Sequence, residues 1–417
     1  MRLPFLLMSF LLGQSLSIKV PEDDEFYAPP HDYIDARLGE ILKVRPPPSS
    51  IRSLLAPITA IPWQLLIRSE DSFGNPNVVT ATILEPPGAD SQKVLSYQTF
   101  QNSAKRSCCP SYTMLTASFE SLEIQADLAF ISMALFMKWY VLIPDYEGPK
   151  SAFPVSKQSA HAVLNCMKAA KTFISQDASF AMMGYSGGAF ASAWAAILQP
   201  KYAPELKLVG AALGGTIANI SALIRKVDGG PYAGLVVNIL NGLGNEYKKF
   251  KLALHVYGPS LKSYCLFSAA THYFGTSFNK DVYQDILEDK TINSIFNEND
   301  LLGANKTVPR APMFLYHSAI NEVAPFKEVD KLYDYWCEQG VTVELAEDMS
   351  FNHMMEAFAG IPASITWLNK RFKKEPILDH CKRSKKTSNF FYPGSPRFIR
   401  KKLKHTLSQI VSQLIVI

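Results

Sequence analysis

Short apolar runs alternate with segments whose apolar residues recur at helical spacing along most of the chain. Residues 63–69 and 78–84 are β-rich runs separated by FGNPN, a strong turn signal, and predict a hairpin. Buried strands are predicted at 94–97, 140–143, 180–183, 206–213, 312–316 and 341–345, and helices at 158–174, 189–198 and 327–339. Strands and helices in turn predict an α/β fold around a mostly parallel sheet. The alternation stops between Gly215 and Pro309, where the pattern is mostly helical and broken by Gly and Pro. That stretch is read as an insertion forming a helical cap (lid) over one sheet edge. The expected division is 18–215 and 309–393 for the core, 216–308 for the cap, and 394–417 for a basic C-terminal extension. Residues 19–62 are Pro-rich and predict irregular structure.

The first 17 residues have a different pattern. A basic start at Arg2, an apolar run from Leu3 to Leu12 and small residues at Ser15 and Ser17 describe a secretory signal peptide. The run is too short to span a bilayer. A secreted location makes disulfides permissible among the six cysteines. None has paired C-x-x-C spacing, so no metal site is expected. Cys166 falls within a helical pattern and reads as a buried thiol. Asn219 (NIS) and Asn305 (NKT) are candidate glycosylation acceptors.

Composition adds two constraints. Hydrophobic residues at 47% and charged residues at 19% leave ample apolar surface for a large core and exclude a disordered chain. The net charge of +5 is unevenly placed: residues 371–417 hold twelve Lys/Arg against two Asp/Glu, so the preceding body is acidic. The body has no basic patch interleaved with aromatics, so nucleic acid is not an expected partner. The last two dozen residues, with RFIRKKLKH and then LSQIVSQLIVI, read as a disordered extension. The alternative is a basic amphipathic helix that adheres to anionic surfaces.

The chemistry is concentrated in Gly184-Tyr185-Ser186-Gly187-Gly188, a G-x-S-x-G sequence between a strand pattern and a small-residue helix. A nucleophilic serine on a tight strand-to-helix turn needs flanking glycines, and the helix N-terminus supplies N–H groups for a developing oxyanion. The bare pattern is weak; its strand–turn–helix setting is what points to catalysis. The order in such folds is Ser, acid, His. His353 follows the strand pattern VTVEL by a short loop and is the candidate base, whereas His317 ends a strand and reads as packing. The acid belongs in the loop 317–325, where Asn321 and Glu322 compete. Gly187 N–H is one oxyanion donor. The second belongs in the loop after residues 94–97.

These segments resemble the fungal secreted lipases related to Candida lipase A. The resemblance rests on GYSGG (184–188), SYQTFQNSAKRSCCPSY (96–112), YHSAINEVAP (316–325), YDYWCEQG (333–340), NFFYP (389–393) and, most specifically, ELAEDMSFNHMMEAFAGIPASITWLNKRF (344–372). It implies an α/β-hydrolase core with an inserted helical cap, and ester or triacylglycerol hydrolysis without a cofactor. Ser186 then matches the nucleophile and His353 the base. The family's acid is an Asp, and here that position is Asn321. Glu322 or Asp348 could supply a carboxylate instead. The second oxyanion donor falls near Asn102, with Gln98 and Thr99 as alternatives. The same resemblance implies disulfides Cys108–Cys265 and Cys337–Cys381, with Cys109 left over. The expectation is a secreted, extracellular, monomeric serine esterase working at a transient lipid–water interface, its substrate triacylglycerols. The alternatives are a short-chain carboxylesterase, a peptidase of the same fold, or an impaired lipid-binding relative because of Asn321.

Overall fold

The computed structural model describes residues 18–54, 58–116, 118–303, 307–377, 380–401, 403–404 and 408. The expected signal peptide at 1–17, Asn305 and most of 402–417 lie outside them. Ten strands form one sheet: β1 (Ile41–Arg45), β2 (Ile61–Glu70), β3 (Pro76–Glu85), β4 (Asp90–Gln98), β5 (Trp139–Pro144), β6 (Ser179–Tyr185), β7 (Lys207–Gly214), β8 (Met313–Ser318), β9 (Val343–Asp348) and β10 (Cys381–Lys386). Their order is β1-β2-β3-β5-β4-β6-β7-β8-β9-β10. Pairings through β1–β2, β2–β3 and β3–β5 are antiparallel, and all pairings from β5 onward are parallel. This is the doubly covered, mostly parallel arrangement expected of near-continuous apolar strands.

The helices before the insertion are α1 (Pro110–Thr116), α2 (Glu123–Phe136), α3 (Ser156–Phe173) and α4 (Gly187–Tyr202). Between β7 and β8 lie α5 (Ile220–Val227), α6 (Gly234–Glu246), α7 (Lys248–Tyr257), α8 (Leu266–His272) and α9 (Lys290–Asn299). The chain closes with α10 (Phe326–Glu338), α11 (His353–Ala359) and α12 (Ile361–Phe372). Helices α3 and α4 pack on each other, and α12 packs across β6 and β7. The β2–β3 turn is held by the Asp71 carboxylate, which accepts from the backbone N–H of Phe73 and Asn75, both at 2.9 Å.

The inserted helices are fastened to the core at several points. Asn299 Oδ1 accepts from Ser156 N–H at 2.8 Å, and Trp194 Nε1 donates to the Asn299 carbonyl at 3.0 Å. Gly242 of α6 lies directly on the Phe153 backbone, where a Cβ would clash. A disulfide joins Cys108 of the core to Cys265 at the start of α8, and a second joins Cys337 of α10 to Cys381 of β10. Cys109 and Cys166 are buried free thiols.

Two parts of the basic C-terminal segment are more ordered than the sequence suggests. Strand β10 (CKRSKK) is an edge strand whose cations meet acids: Arg383 pairs with Asp330 at 2.6 Å and Glu347 at 3.5 Å, and Lys382 with Glu344 at 3.7 Å. Much of the local positive charge is thus balanced within the fold. Beyond Gly394, residues 397–401 are helical, Ile399 and Leu403 are buried in the core, and Phe398 contacts Phe136 with ring centroids 5.2 Å apart. The expectation of a disordered extension therefore fails for its first part. Phe398 meets Phe136 at the end of α2, a partner that a linear reading could not supply.

Candidate active site

Strand β6 delivers Ser186 and α4 begins at the next residue. Ser186 sits at φ 53°, ψ −118°, a conformation that L-residues rarely adopt outside a tight, over-determined turn. Its N–H donates to the Gly214 carbonyl at 2.8 Å. The glycines are required by close approach. A Cβ on Gly184 would strike the Gly188 backbone, one on Gly188 would strike the Gln98 carbonyl, and one on Gly187 would strike the Asn102 amide. Ser186 as a whole is only 3% exposed.

The loop after β4 brings Asn102 to the elbow. Asn102 has φ 46°, its carbonyl accepts from Asn238 Nδ2 of α6 at 2.9 Å, and its backbone N–H is directed to the Glu147 carboxyl. Only the side chain is left to face the site, and Asn102 Nδ2 donates to Ser186 Oγ at 3.5 Å. Gln98 is engaged elsewhere: its Nε2 donates to Ser96 Oγ at 2.7 Å and its Oε1 accepts from Ser192 Oγ at 2.6 Å. Thr99 uses its carbonyl to accept from the Tyr146 hydroxyl at 2.8 Å. Gly187 heads α4, so its N–H belongs to the first turn, which has no intrahelical acceptor.

His353 is the first residue of α11, whose N-cap Asn352 accepts from Met355 N–H at 3.0 Å. Its backbone is fixed at both ends. The N–H donates to Glu322 Oε2 at 2.6 Å, and the carbonyl accepts from the Tyr185 hydroxyl at 2.6 Å. The imidazole Nδ1 is 2.9 Å from Asn321 Nδ2. Asn321 Oδ1 points the other way and accepts two backbone N–H groups, from Val323 at 2.9 Å and Ala324 at 2.7 Å. Those two donors determine which end of the amide faces the ring. The NH₂ donates to Nδ1, so the imidazole proton resides on Nε2. Burial, then the nearby His317, lowers the His353 pKa from the usual histidine range to about 3.

The two carboxylates considered as substitutes have other partners. Glu322 holds the His353 backbone rather than its ring. Asp348 Oδ1 accepts from Ser350 N–H at 2.9 Å and Oδ2 from Asn389 N–H at 2.7 Å, which turns this side chain into the anchor of the β9–α11 loop. His317 is buried in β8, its Nε2 is 2.9 Å from the Ala324 carbonyl, and burial lowers its pKa to about 4.

Ser186, Asn102 and His353 line one cavity. Its core wall includes Phe100, Tyr185 and Val323, and its outer wall comprises Tyr232 and Leu235 of the α5–α6 region with Leu266 and Phe267 of α8. The space it leaves open to the centre of a water molecule is only ≈ 20 Å³. The cavity is therefore narrow, apolar and covered by the inserted helices. Sequence reasoning missed Tyr185, Tyr232, Leu266 and Phe267. Tyr185 occupies the unrestricted position of G-x-S-x-G, Tyr232 lies in the turn before α6, and Leu266 and Phe267 come from a helix with no motif. Asn219 caps α5 through Ala222 N–H at 2.7 Å, and its Nδ2 donates to Asp300 at 3.1 Å. Among the described residues no group of three His, Cys, Asp or Glu side chains could hold a metal ion.

A serine on a strained strand-to-helix elbow in the middle of this sheet defines an α/β-hydrolase. A sequence model of the family described as secretory lipase matches residues 114–380. Two Candida albicans relatives, Lipase 7 and Lipase 1, are 46% and 42% identical, covering 94% and 93% of this chain and 93% and 88% of theirs. The X-ray structure of Candida antarctica lipase A superposes with a TM-score of 0.84 at 23% identity, covering 93% of this chain and 95% of that one; its closed state gives 0.83. The chain belongs to the secretory lipase family, and it is a lipase.

Proposed function

We propose that the protein hydrolyses triacylglycerols through an acyl-enzyme on Ser186. The observation that carries this reading is Ser186 on its strained turn, with the Asn102 amide on one side and His353 lining the same apolar cavity. Ser186 Oγ attacks the ester carbonyl, and His353 Nε2 takes its proton and returns it to the departing alkoxide. The oxyanion is held by Gly187 N–H and Asn102 Nδ2, donors fixed before the reaction begins. Water then repeats the sequence and releases the fatty acid. Asn102 suits this role because an amide donates without first being protonated.

Asn321 sets the pace of this cycle. The tautomer it stabilises carries the proton on Nε2, the atom that must accept from Ser186. Each turnover begins from a minor tautomer, so slow chemistry is the specific expectation. This observation favours a second reading, an impaired lipid-binding protein. The narrow cavity requires the inserted helices to move before a long acyl chain enters, which fits a lid that opens at a lipid–water interface. Secretion through a signal peptide at 1–17, with glycosylation at Asn219 or Asn305 and a monomeric state, completes the proposal. The two disulfides suit an oxidising compartment.

The test is hydrolysis of p-nitrophenyl esters of graded chain length by the wild type and Ser186→Ala. The wild type is expected to favour long chains and the variant to match the buffer rate. Equal rates for the two proteins would remove the hydrolase mechanism, and a preference for the shortest ester would favour a carboxylesterase.

A further inference from the structure

The most exposed large apolar side chains among the described residues are Val256 at 83%, with Leu252 and Phe274 each at 70%. All three lie in residues 247–280 of the inserted helices. This stretch holds five lysines and no Asp or Glu, in a body that is otherwise acidic. Helix α7 organises the pattern. Phe250 and Leu254, four residues apart, are buried, and the Phe250 ring lies 5.7 Å from that of Phe296. The opposite face presents Lys248, Lys249, Leu252, His255 and Val256, spaced at three and four residues and all exposed. Among the described residues, Lys248, Lys249 and Lys251 have no ion-pair partner. Of the nearby acids, Asp289 accepts from the Tyr257 hydroxyl at 2.9 Å and Glu288 pairs with Arg225 at 3.3 Å, while Asp281 and Asp285 are exposed beyond the end of the stretch.

The geometry points to α7 as a docking face for an anionic lipid surface. A protruding Leu–Val pair flanked by unpaired lysines matches a helix lying in the interface plane, its apolar side chains among the acyl chains and its ammonium groups among anionic headgroups. Charge complementarity selects an anionic surface over a neutral one. The face belongs to the same inserted unit as α6 and α8, which wall the cavity over Ser186, so docking would occur on the part that must move. Adhesion of this kind does not depend on turnover at Ser186 and is read separately from it.

The test is co-sedimentation of the full chain with phosphatidylcholine vesicles, with and without phosphatidylglycerol. The wild type is expected to bind the anionic vesicles strongly and the neutral ones weakly, with binding lost as salt is raised. Lys248→Gln/Lys249→Gln/Lys251→Gln should lower the partition coefficient by about 100-fold at low ionic strength. Leu252→Ser/Val256→Ser should lower it by about ten-fold. Arg397→Gln/Lys401→Gln, in the C-terminal segment, should bind like the wild type. Circular dichroism and the rate on a soluble short-chain ester should be unchanged in every variant, which separates lost docking from lost folding and from lost catalysis. Equal binding to both vesicle types, wild-type binding by the α7 variants, or loss in the C-terminal variant alone would overturn the inference.

Discussion

Replacing Asn321 with Asp is expected to raise kcat by about three orders of magnitude. The magnitude follows from the hydrogen bonds around the amide. For His353 to accept a proton at Nε2, Nδ1 must carry one. That N–H then faces either the Asn321 NH₂ or, if the amide rotates, its oxygen. Rotation removes the acceptor from Val323 N–H and Ala324 N–H, now at 2.9 and 2.7 Å. Leaving a buried donor unpaired costs about 1–3 kcal/mol, so two cost about 4 kcal/mol, which is about 10³ in rate. An aspartate at this position keeps both backbone bonds with one oxygen and accepts Nδ1–H with the other. It also stabilises the imidazolium that forms during attack. The assay is steady-state hydrolysis of a soluble p-nitrophenyl ester by wild type and Asn321→Asp, with KM unchanged because this side chain does not line the cavity. The acid limb of the kcat/KM profile should move to higher pH as the carboxylate raises the His353 pKa. A gain below about five-fold, or a change confined to KM, would refute the tautomer argument.

Other expectations follow from the same geometry. Glu322→Gln weakens the bond at 2.6 Å that holds the His353 backbone; kcat should fall by about ten-fold at constant KM, as measured on the same ester. Gly187→Ala places a methyl against the Asn102 amide and the buried Phe153 ring; it should reduce kcat by at least about 10² and also lower Tm. With its pKa near 3, His353 stays neutral well below the ordinary histidine range, so the wild-type kcat/KM should remain level down to about pH 4. Glu123 is fully buried beside the Leu266 and Phe267 N–H groups of α8, and burial raises its pKa to about 8. A raised carboxyl stabilises the fold only while protonated. Relative to Glu123→Gln, the wild type should lose stability as pH rises from about 4.5 to 8 and level off above that, by a few kcal/mol in denaturant titrations.

Much of the sheet was legible because its strands are apolar runs bounded by turn residues. The elbow was legible because close backbone approach demands Gly184, Gly187 and Gly188. Three elements were not. Strand β1 is short, lies at an edge and sits in a Pro-rich stretch. Helix α2 (EIQADLAFISMALF) is buried almost all round, so it has no polar face to reveal its period. Strand β10 reads as a charge run until β9 supplies its acids. At the site, the family resemblance proposed Asn321 for the acid position but could not give the direction of its amide, which depends on two backbone N–H groups in the following turn. Glu322 and Asp348 were plausible acids by proximity along the chain. Their carboxylates are instead directed to backbone N–H groups. Cavity walls from α6 and α8 carry no motif and become visible only when the chain is folded.

The central claim is that Ser186 forms the acyl-enzyme. The direct measurement is mass spectrometry of the intact protein and its peptides after reaction with an alkyl p-nitrophenyl phosphonate, which traps a serine that attacks like an ester hydrolase. One adduct per chain, on the peptide containing Ser186 and absent from Ser186→Ala, is the expected result. An adduct on another residue, or ester hydrolysis that persists after Ser186 is fully labelled, would contradict it.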